Sequence, residues 1–295
     1  IPALAGFQKC FDIIIPKGTI LNCQEPSPVG ARSEMLYQIP DSPFRALADV
    51  VPGKIVAGNH GVHGIGFSNQ SGPPFIYYET VAGGGGARTT KDGIDGVHCA
   101  SNLPLEAMEM AFPIIADRLE YIQDSEGAGK FRGGLGIQKE FHMMGNNYLS
   151  IHSNRHKFPA AGLHGGRDAI PTKVVRNPHS EEPEIMPRQG TFIPASKDTV
   201  MTLMVGGGGG YGHPFERDPE LVLWDVVNGK VSQTRAKTMY GVALDLENTG
   251  ARIVSHVVRR AIRQRLSHGA TNPPSFPLQG SPEKHDAGPD AHRQR

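Results

Sequence analysis

The sequence has little cysteine and no excess of charge of either sign. Its three cysteines, Cys10, Cys23 and Cys99, are too few and too far apart for a disulfide framework or a zinc knuckle. This scarcity favours a reducing compartment, so we expect a cytoplasmic protein. Lys and Arg number 30 against 29 Asp and Glu, which gives a formal net charge of +1. Nucleic-acid-binding proteins usually have a clear basic excess, so that class is disfavoured.

Long hydrophobic runs are also lacking. No apolar stretch approaches the ~18 residues that a transmembrane helix needs, so we expect no membrane segment. The first five residues, IPALA, lack the charged region that begins a signal peptide. They also lack an initiator Met, which predicts that the chain is part of a longer one.

Glycine and proline are abundant instead. The 37 Gly and 24 Pro make up about a fifth of the chain, against about 12% in average proteins. This share is below that of low-complexity disorder, and a hydrophobic content of 38% can supply a packed core. The surplus therefore predicts many tight turns that join short strands.

Periodicity and capping residues predict an α+β fold, rich in short strands with glycine at their corners and with helices near the C-terminus. A hairpin is predicted over 54–82 and a buried strand over 200–205. The predicted helices cover 42–51, 104–112, 216–230, 232–241 and 249–266. We expect a β-rich region at 1–215, a helical region at 216–266 and a disordered tail at 267–295.

Four glycine-rich segments stand out, at 58–66, 83–87, 133–136 and 206–212. None of them contains the phosphate-loop pattern G-x-x-x-x-G-K-[ST] or the dinucleotide-binding pattern G-x-G-x-x-G. Nucleotide binding by these loops is therefore disfavoured. The alternative is sharp turns with positive φ, together with close approach of the backbone to a ligand or a neighbouring chain.

Histidines and carboxylates near these glycines are the candidate chemical groups. His60 and His63 have a spacing that could hold a metal, although ordinary polar residues are the more common case in a glycine-rich loop. His98, near Asp92 and Asp95, suits a general base with its orienting carboxylate, against the alternative of hydrogen-bonded turn residues. A dyad of His98 with the adjacent cysteine is disfavoured, because neighbours in extended backbone face opposite sides.

Further candidates surround the same loop. Glu79 lies near the end of a predicted strand, and Arg88 carries a guanidinium suited to a carboxylate. The arginines of 249–266 fit a solvated helix face better than a nucleic-acid contact. The predicted catalytic residues are Glu79, Asp92 and His98, and the predicted substrate-binding residues are Arg88, Gly84, Gly86, Asn59 and His60.

Several long segments resemble the hydantoinase B/oxoprolinase family. They are FIYYETVAGGGGARTTKDGIDGVH (75–98), GAGKFRGGLGIQKE (127–140), FPAAGLHGG (158–166) and the block from GGGGGYG to TMYGV (206–242). The opening GTILNCQEPSPVGAR (18–32) also fits the family's segment after its central linker. The resemblance extends from about residue 1 to about residue 245, in the family's order.

The resemblance implies a subunit that acts in a hetero-oligomer with an ATP-using partner of the hydantoinase A type. Such complexes open small cyclic amides, such as hydantoins or 5-oxoproline, with ATP and Mg²⁺ bound mainly by the partner. Relatives similar to acetone carboxylases instead carboxylate ketones without biotin. A third hypothesis is a non-catalytic module that docks on the partner chain.

The clustering of candidate groups in the 79–98 block suggests a role for each of them in that reaction. Glu79 or Asp92 would orient a water, His98 would transfer protons, and Arg88 would hold a carboxylate or a phosphorylated intermediate. The sequence departs from the family pattern where Gly85 replaces a Trp, Ala100 replaces a second His and His213 replaces an Asp. Whether a divalent metal binds is left open, because the family's metal motifs lie in an amino-terminal half that this sequence does not contain.

Overall fold

The computed structural model describes residues 12–27, 29–30, 32–70, 72–96, 100, 102–245 and 252–255. It has the predicted α+β fold, rich in short strands. The described helices are α1 (Arg32–Gln38), α2 (Asp41–Leu47), α3 (Leu105–Ala111), α4 (Pro219–Val227) and α5 (Gln233–Tyr240). The described strands are β1 (Val62–Asn69), β2 (Ile76–Ala82), β3 (Ile114–Tyr121), β4 (Ile137–Met143), β5 (Asn147–His152), β6 (Lys173–Arg176), β7 (Glu184–Ile185), β8 (Gln189–Ala195), β9 (Val200–Val205), β10 (Ala243–Asp245) and β11 (Arg252–Ser255).

Two antiparallel sheets form the body of the molecule. One has the strand order β2-β1-β5-β8 and the other has the order β3-β4-β9-β6-β7. Their hydrophobic residues belong to one buried cluster, in which Phe67 of β1 contacts Phe141 of β4 with ring centroids 5.3 Å apart. A second, smaller cluster joins α4 and α5 to Ala128. Burial of these apolar side chains provides the main driving force for folding.

Most predicted elements are confirmed where the structure describes them. The hairpin pairs β1 with β2, and the strand predicted over 200–205 is β9. Helix α5 begins after Ser232, whose side chain accepts a hydrogen bond from Arg235 N, and ends at Gly241 with φ of 67°. These are the capping features that the sequence predicts.

Two helix predictions differ from the structure. The helix predicted over 249–266 is wrong at Arg252–Ser255, which form β11 and pair with β10. The segment contains adjacent β-branched residues, which favour a strand once a partner strand is available. The helix predicted over 42–51 ends at Leu47, and its apolar stripe remains exposed at Phe44 and Leu47.

Other predictions lie outside the described residues. These concern His98, most of 249–266 and the predicted tail at 267–295. The predicted domain boundaries stay predictions. Among the described residues, none of the helices combines the length and the apolar character that crossing a membrane requires.

Candidate functional site

Three glycine runs meet at the centre of the molecule, and we call them the glycine hub: 83–86, 133–136 and 206–210. They follow β2, precede β4 and follow β9, respectively. The runs are joined by backbone hydrogen bonds. Gly134 N donates to Gly85 O at 2.9 Å, and Gly208 N donates to Gly134 O at 2.9 Å. The hub is therefore a lattice of extended backbone segments, held together outside the regular sheets.

The hub has no room for side chains. A Cβ on Gly84 would overlap the carbonyl oxygen of Gly134, and a Cβ on Gly208 would overlap that of Gly85. The expected close approach of backbone is thus confirmed, with neighbouring segments of the same chain. The expectation of positive-φ turns is confirmed at Gly61 and Gly212, with φ of 89° and 71°, but is wrong for the glycines of these three runs. Here glycine is required for the short distance between segments.

Three predicted substrate-binding residues belong to this lattice. Gly84 and Gly86 are buried against backbone atoms, and the side-chain oxygen of Asn59 accepts a hydrogen bond from Gly86 N at 2.9 Å. The placement favours a structural role for all three. The glycine-rich pattern indicated a special environment for these residues. That environment is close packing against segments that lie far away in the sequence.

His60 is also built into the hub. Its Nδ1 lies 3.1 Å from Gly207 O, to which it donates, and its Nε2 accepts from Gly206 N at 3.2 Å. The hydroxyl of Thr172 lies 2.7 Å from the same Nε2. These partners specify a neutral ring with its proton on Nδ1.

His63 lies beside His60 on β1, with ring centroids 5.2 Å apart. It is fully buried, and its Nδ1 accepts a hydrogen bond from Asn154 N at 3.2 Å. Burial, followed by the nearby His60, His156 and Arg155, holds the pKa of His63 well below its usual range. The ring nitrogens of both histidines thus have hydrogen-bond partners within the protein. Within the described part of the chain, no three His, Cys, Asp or Glu residues are grouped to hold a metal ion.

Asp92 is held in a buried network with two arginines. The guanidinium of Arg217 donates to both Asp92 oxygens, at 2.7 and 2.8 Å, and to Asp225 at 2.7 Å. Arg132 donates to Asp225 at 3.0 Å and to Asp95 at 2.8 Å. This network attaches α4 to the loop after the first glycine run. Asp92 therefore accepts bidentate hydrogen bonds, while 29% of its side chain stays exposed to solvent.

Asp95 shows the electrostatic strength of that network. Burial disfavours its charge, but the hydrogen bond and charge of Arg132, with Lys230 2.7 Å away, outweigh this effect. Together they lower the pKa of Asp95 to about 2. The carboxylate is thus kept ionised by its neighbours.

Glu79 lies in the core between the sheets. Its Oε2 accepts from Lys139 Nζ at 2.6 Å and from the Tyr77 hydroxyl, and its Oε1 accepts from Leu103 N at 3.2 Å. Lys139 is fully buried. The strand alternation that made Glu79 visible in the sequence turns it inward, away from the loop that carries Asp92.

His98 lies outside the described residues, so only the other members of the predicted cluster can be placed. Glu79 and Asp92 are bound by different partners in different layers. The backbone N of Arg88 donates to Lys91 O, and its side chain is exposed directly after the hub.

A cavity of about 720 Å³ lies next to His63, because its lining includes Asn154, whose main-chain N donates to His63. We call it the Glu34 cavity. Its lining includes the polar residues Glu34, Gln38, His152 and Asn154 and the apolar residues Ile20, Leu21, Val29, Leu36 and Ile39. Gln38 Nε2 lies 3.4 Å from His60 O, which connects the cavity wall to the hub. Sequence reasoning missed this site. In the sequence, Glu34 cannot be distinguished from a solvent-exposed carboxylate on a helix. The run of polar residues at 152–156 is the local pattern that could have indicated the site.

The sequence is similar to a known family and to several of its members. The family model of hydantoinase B/oxoprolinase matches residues 1–214. The B component of a putative D-/L-hydantoinase from Pseudomonas sp. (strain NS671) is 31% identical over 249 residues, which is 82% of this chain and 42% of the relative. The beta chain of the caprolactamase from Pseudomonas jessenii is 28% identical over 280 residues, covering 88% of this chain and 48% of the relative.

Solved structures show the same fold. The ATP-dependent caprolactamase from Pseudomonas jessenii aligns with a TM-score of 0.72 and 26% identity, over 85% of this chain and 46% of that chain. Nucleotide-free acetone carboxylase aligns with a TM-score of 0.58 and 20% identity, over 74% of this chain and 35% of that chain. This chain spans about half the length of the curated relatives it matches. By its sequence and its glycine-packed fold, the chain belongs to the hydantoinase B/oxoprolinase family.

Proposed function

We propose that this chain is part of the B-type component of an ATP-dependent amidohydrolase that opens cyclic amides. The carrying observation is its similarity to components of a putative hydantoinase and of a caprolactamase, because hydantoins and caprolactam are both cyclic amides. Both relatives are named as subunits, which implies a partner chain. We propose that the partner is an ATP-using subunit of the hydantoinase A type in a hetero-oligomer.

The partner would supply the nucleotide chemistry. An amide carbon is a poor electrophile, and transfer of a phosphoryl group from ATP to the amide oxygen would make that carbon reactive. Attack by one water on that carbon and departure of the amine break the C–N bond and leave an acyl phosphate, which a second water hydrolyses to a carboxylate and phosphate. The glycine runs of this chain are filled by protein backbone, so they do not fit a triphosphate, and we place ATP and Mg²⁺ on the partner.

The predicted site residues divide into two groups under this proposal. Arg88 has an accessible guanidinium after the hub, and we retain it as the group that holds a carboxylate or a phosphorylated intermediate. His98 is retained as the proton-transfer group. Asp92, Asn59, His60, Gly84 and Gly86 would instead keep the hub rigid beneath them. Glu79 would stabilise the core through its ion pair with Lys139.

Reconstitution of the chain with a hydantoinase A-type partner tests the proposal. We expect ring opening of hydantoin, 5-oxoproline or caprolactam that requires ATP, measured as ring-opened carboxylic acid and ADP in equal amounts. Arg88→Ala and His98→Ala should each lower kcat/KM about a hundredfold, while the exposed control Arg118→Ala should not change it.

Three results would count against this function. Turnover that requires bicarbonate would identify a ketone carboxylase. Stable co-purification with the partner, without turnover on any of the three substrates, would identify a docking module. Unchanged activity in both Arg88→Ala and His98→Ala would overturn the residue roles.

A further inference from the structure

The Glu34 cavity contains a buried carboxyl group that has no hydrogen-bond partner among the residues that the structure describes. Glu34 is 7% exposed, and neither of its oxygens is hydrogen-bonded among the described residues. Burial raises the pKa of this carboxyl. An unsatisfied buried polar group costs free energy, and native structures rarely retain one without a reason. The group lines a cavity, so a ligand can provide the missing partner.

A second unpartnered group lines the same cavity. Asn154 Nδ2 is a buried donor with no acceptor among the described residues. The other atom of this amide, Oδ1, lies 3.5 Å from Gln38 Nε2, so the amide oxygen is turned toward Gln38. The main-chain N of Asn154 donates to His63. The residue is therefore anchored while its amino group stays free.

The two unpartnered groups define a chemical complement. An ionised carboxylate accepts a hydrogen bond and an amide NH₂ donates one, so a ligand that satisfies both groups presents one donor and one acceptor. A cyclic secondary amide has this arrangement, because its ring holds the N–H and the C=O in the cis form on one edge. The lining also holds the polar residues Arg32, His152 and Gln189, but its apolar side chains, from Ile20 to Ile39, offer a surface that suits the methylene carbons of a lactam ring.

The size of the cavity agrees with a small-molecule ligand. Its volume of about 720 Å³ falls within the ~300–1,000 Å³ typical of ligand pockets. We propose that the Glu34 cavity binds the cyclic amide, with Glu34 accepting its N–H and Asn154 Nδ2 donating to its carbonyl oxygen. This inference rests on the proposed function, since it identifies where in this chain the substrate class of that function would be recognised.

Direct binding to the full chain tests the inference without ATP or a partner chain. The probe is 2-pyrrolidone, the unsubstituted five-membered lactam, and its affinity is measured by titration with NMR detection. N-methyl-2-pyrrolidone is the matched control ligand, because it has the same ring and carbonyl but no N–H. We expect the N-methyl compound to bind at least about tenfold more weakly, the effect of one lost hydrogen bond to a charged group.

Variants assign the two contacts. Glu34→Leu and Asn154→Leu should each weaken 2-pyrrolidone binding about tenfold or more. Glu34→Gln, which keeps an acceptor oxygen, should restore most of the affinity. Glu106→Leu, at an exposed position of α3, is the matched control and should bind like the unmodified chain. Near-identical unfolding midpoints for Glu34→Leu and Glu34→Gln would show that the difference in affinity reflects recognition.

The outcomes separate this inference from the proposed function. It is overturned if the unmodified chain does not bind 2-pyrrolidone, if the N-methyl compound binds equally well, or if Glu34→Leu leaves the affinity unchanged. Binding that follows the expected pattern in a complex without turnover would support the cavity and reject the proposed activity. Turnover by the Glu34→Leu variant with an unchanged KM would support the proposed activity and reject the cavity as the substrate site.

Discussion

The glycine hub and the Glu34 cavity treat buried polar groups in opposite ways. In the hub, backbone amides and carbonyls from three distant runs satisfy one another, and no space remains for a side chain. In the cavity, a carboxyl and an amide NH₂ are buried without partners among the described residues, beside about 720 Å³ of open space. The two regions are nevertheless neighbours. His60 accepts a hydrogen bond from Gly206 of the hub, and the carbonyl oxygen of His60 lies 3.4 Å from Gln38 Nε2 in the cavity wall.

The contrast separates scaffold from candidate binding site. A buried polar group with a protein partner contributes to folding and is lost to ligand recognition, whereas one without a partner costs stability and is available to a ligand. By this criterion, Asp92 and Glu79 group with the hub even though their residue types suggest catalysis.

The hub should not tolerate a single added methyl group. A Cβ on Gly134 would overlap the carbonyl oxygen of Ile94, while a Cβ on Gly145 meets no atom within 4 Å. We therefore expect Gly134→Ala to lower the free energy of unfolding by about 3 kcal/mol or more. Gly145→Ala should change it by less than about 1 kcal/mol. Denaturant titration of both variants provides the measurement, and equal midpoints would contradict the packing argument.

The buried pair of Glu79 and Lys139 should be nearly as sensitive. Lys139→Met leaves a buried carboxylate without its cation, and we expect a loss of about 3–5 kcal/mol in unfolding free energy. Adding Glu79→Leu should recover most of that loss, because both charges are then removed. Arg118→Met, which breaks the exposed pair with Glu120, should cost less than about 1 kcal/mol. A double variant no more stable than Lys139→Met would show that the pair acts through packing alone.

The arginine network should make the unfolding free energy depend on pH in the acid range. The pKa of Asp95 is lowered from 3.8 to about 2 in the folded chain. Its contribution is therefore fully present above pH 3.8 and is lost as the pH falls toward 2, by about 2 kcal/mol in total. Asp95→Asn should remove this part of the pH dependence, whereas the exposed control Asp198→Asn should preserve it. Parallel urea titrations between about pH 2 and pH 5 would decide the point.

Glu34 should respond in the opposite sense and by the smallest amount. Its folded-state pKa is raised by burial, so the folded chain loses stability as the pH rises above 4.5. Replacement by Leu removes that penalty, and we expect a gain of about 1 kcal/mol at pH 7 that vanishes near pH 4. Thermal unfolding at the two pH values measures the gain. A loss of stability at pH 7 would mean that the carboxyl has a partner in the protein, and it would end the contrast between the two regions.

Sequence reasoning located the scaffold better than the candidate site. The alternation in β2 and the capping residues of α5 act over a few positions, so the hairpin and the helix could be predicted from local pattern. The pairing of Asp92 with Arg217 joins residues 125 positions apart, and no local signal encodes it. For the same reason Glu79 was interpreted as a catalytic carboxylate, while its buried partner Lys139 lay on another strand. Glu34 is distinctive only because the fold leaves it unpaired.

The hub also limits the order in which parts of the chain can fold. Gly134 is hydrogen-bonded to Gly85 and to Gly208, across separations of about 50 and 75 residues, so each contact closes a long loop before it gains a hydrogen bond. Contacts of this kind slow folding. On the ribosome, the first two runs emerge well before the third, so the lattice can close only after residue 210 has been synthesised. The centre of the folded chain is therefore among the last parts to form.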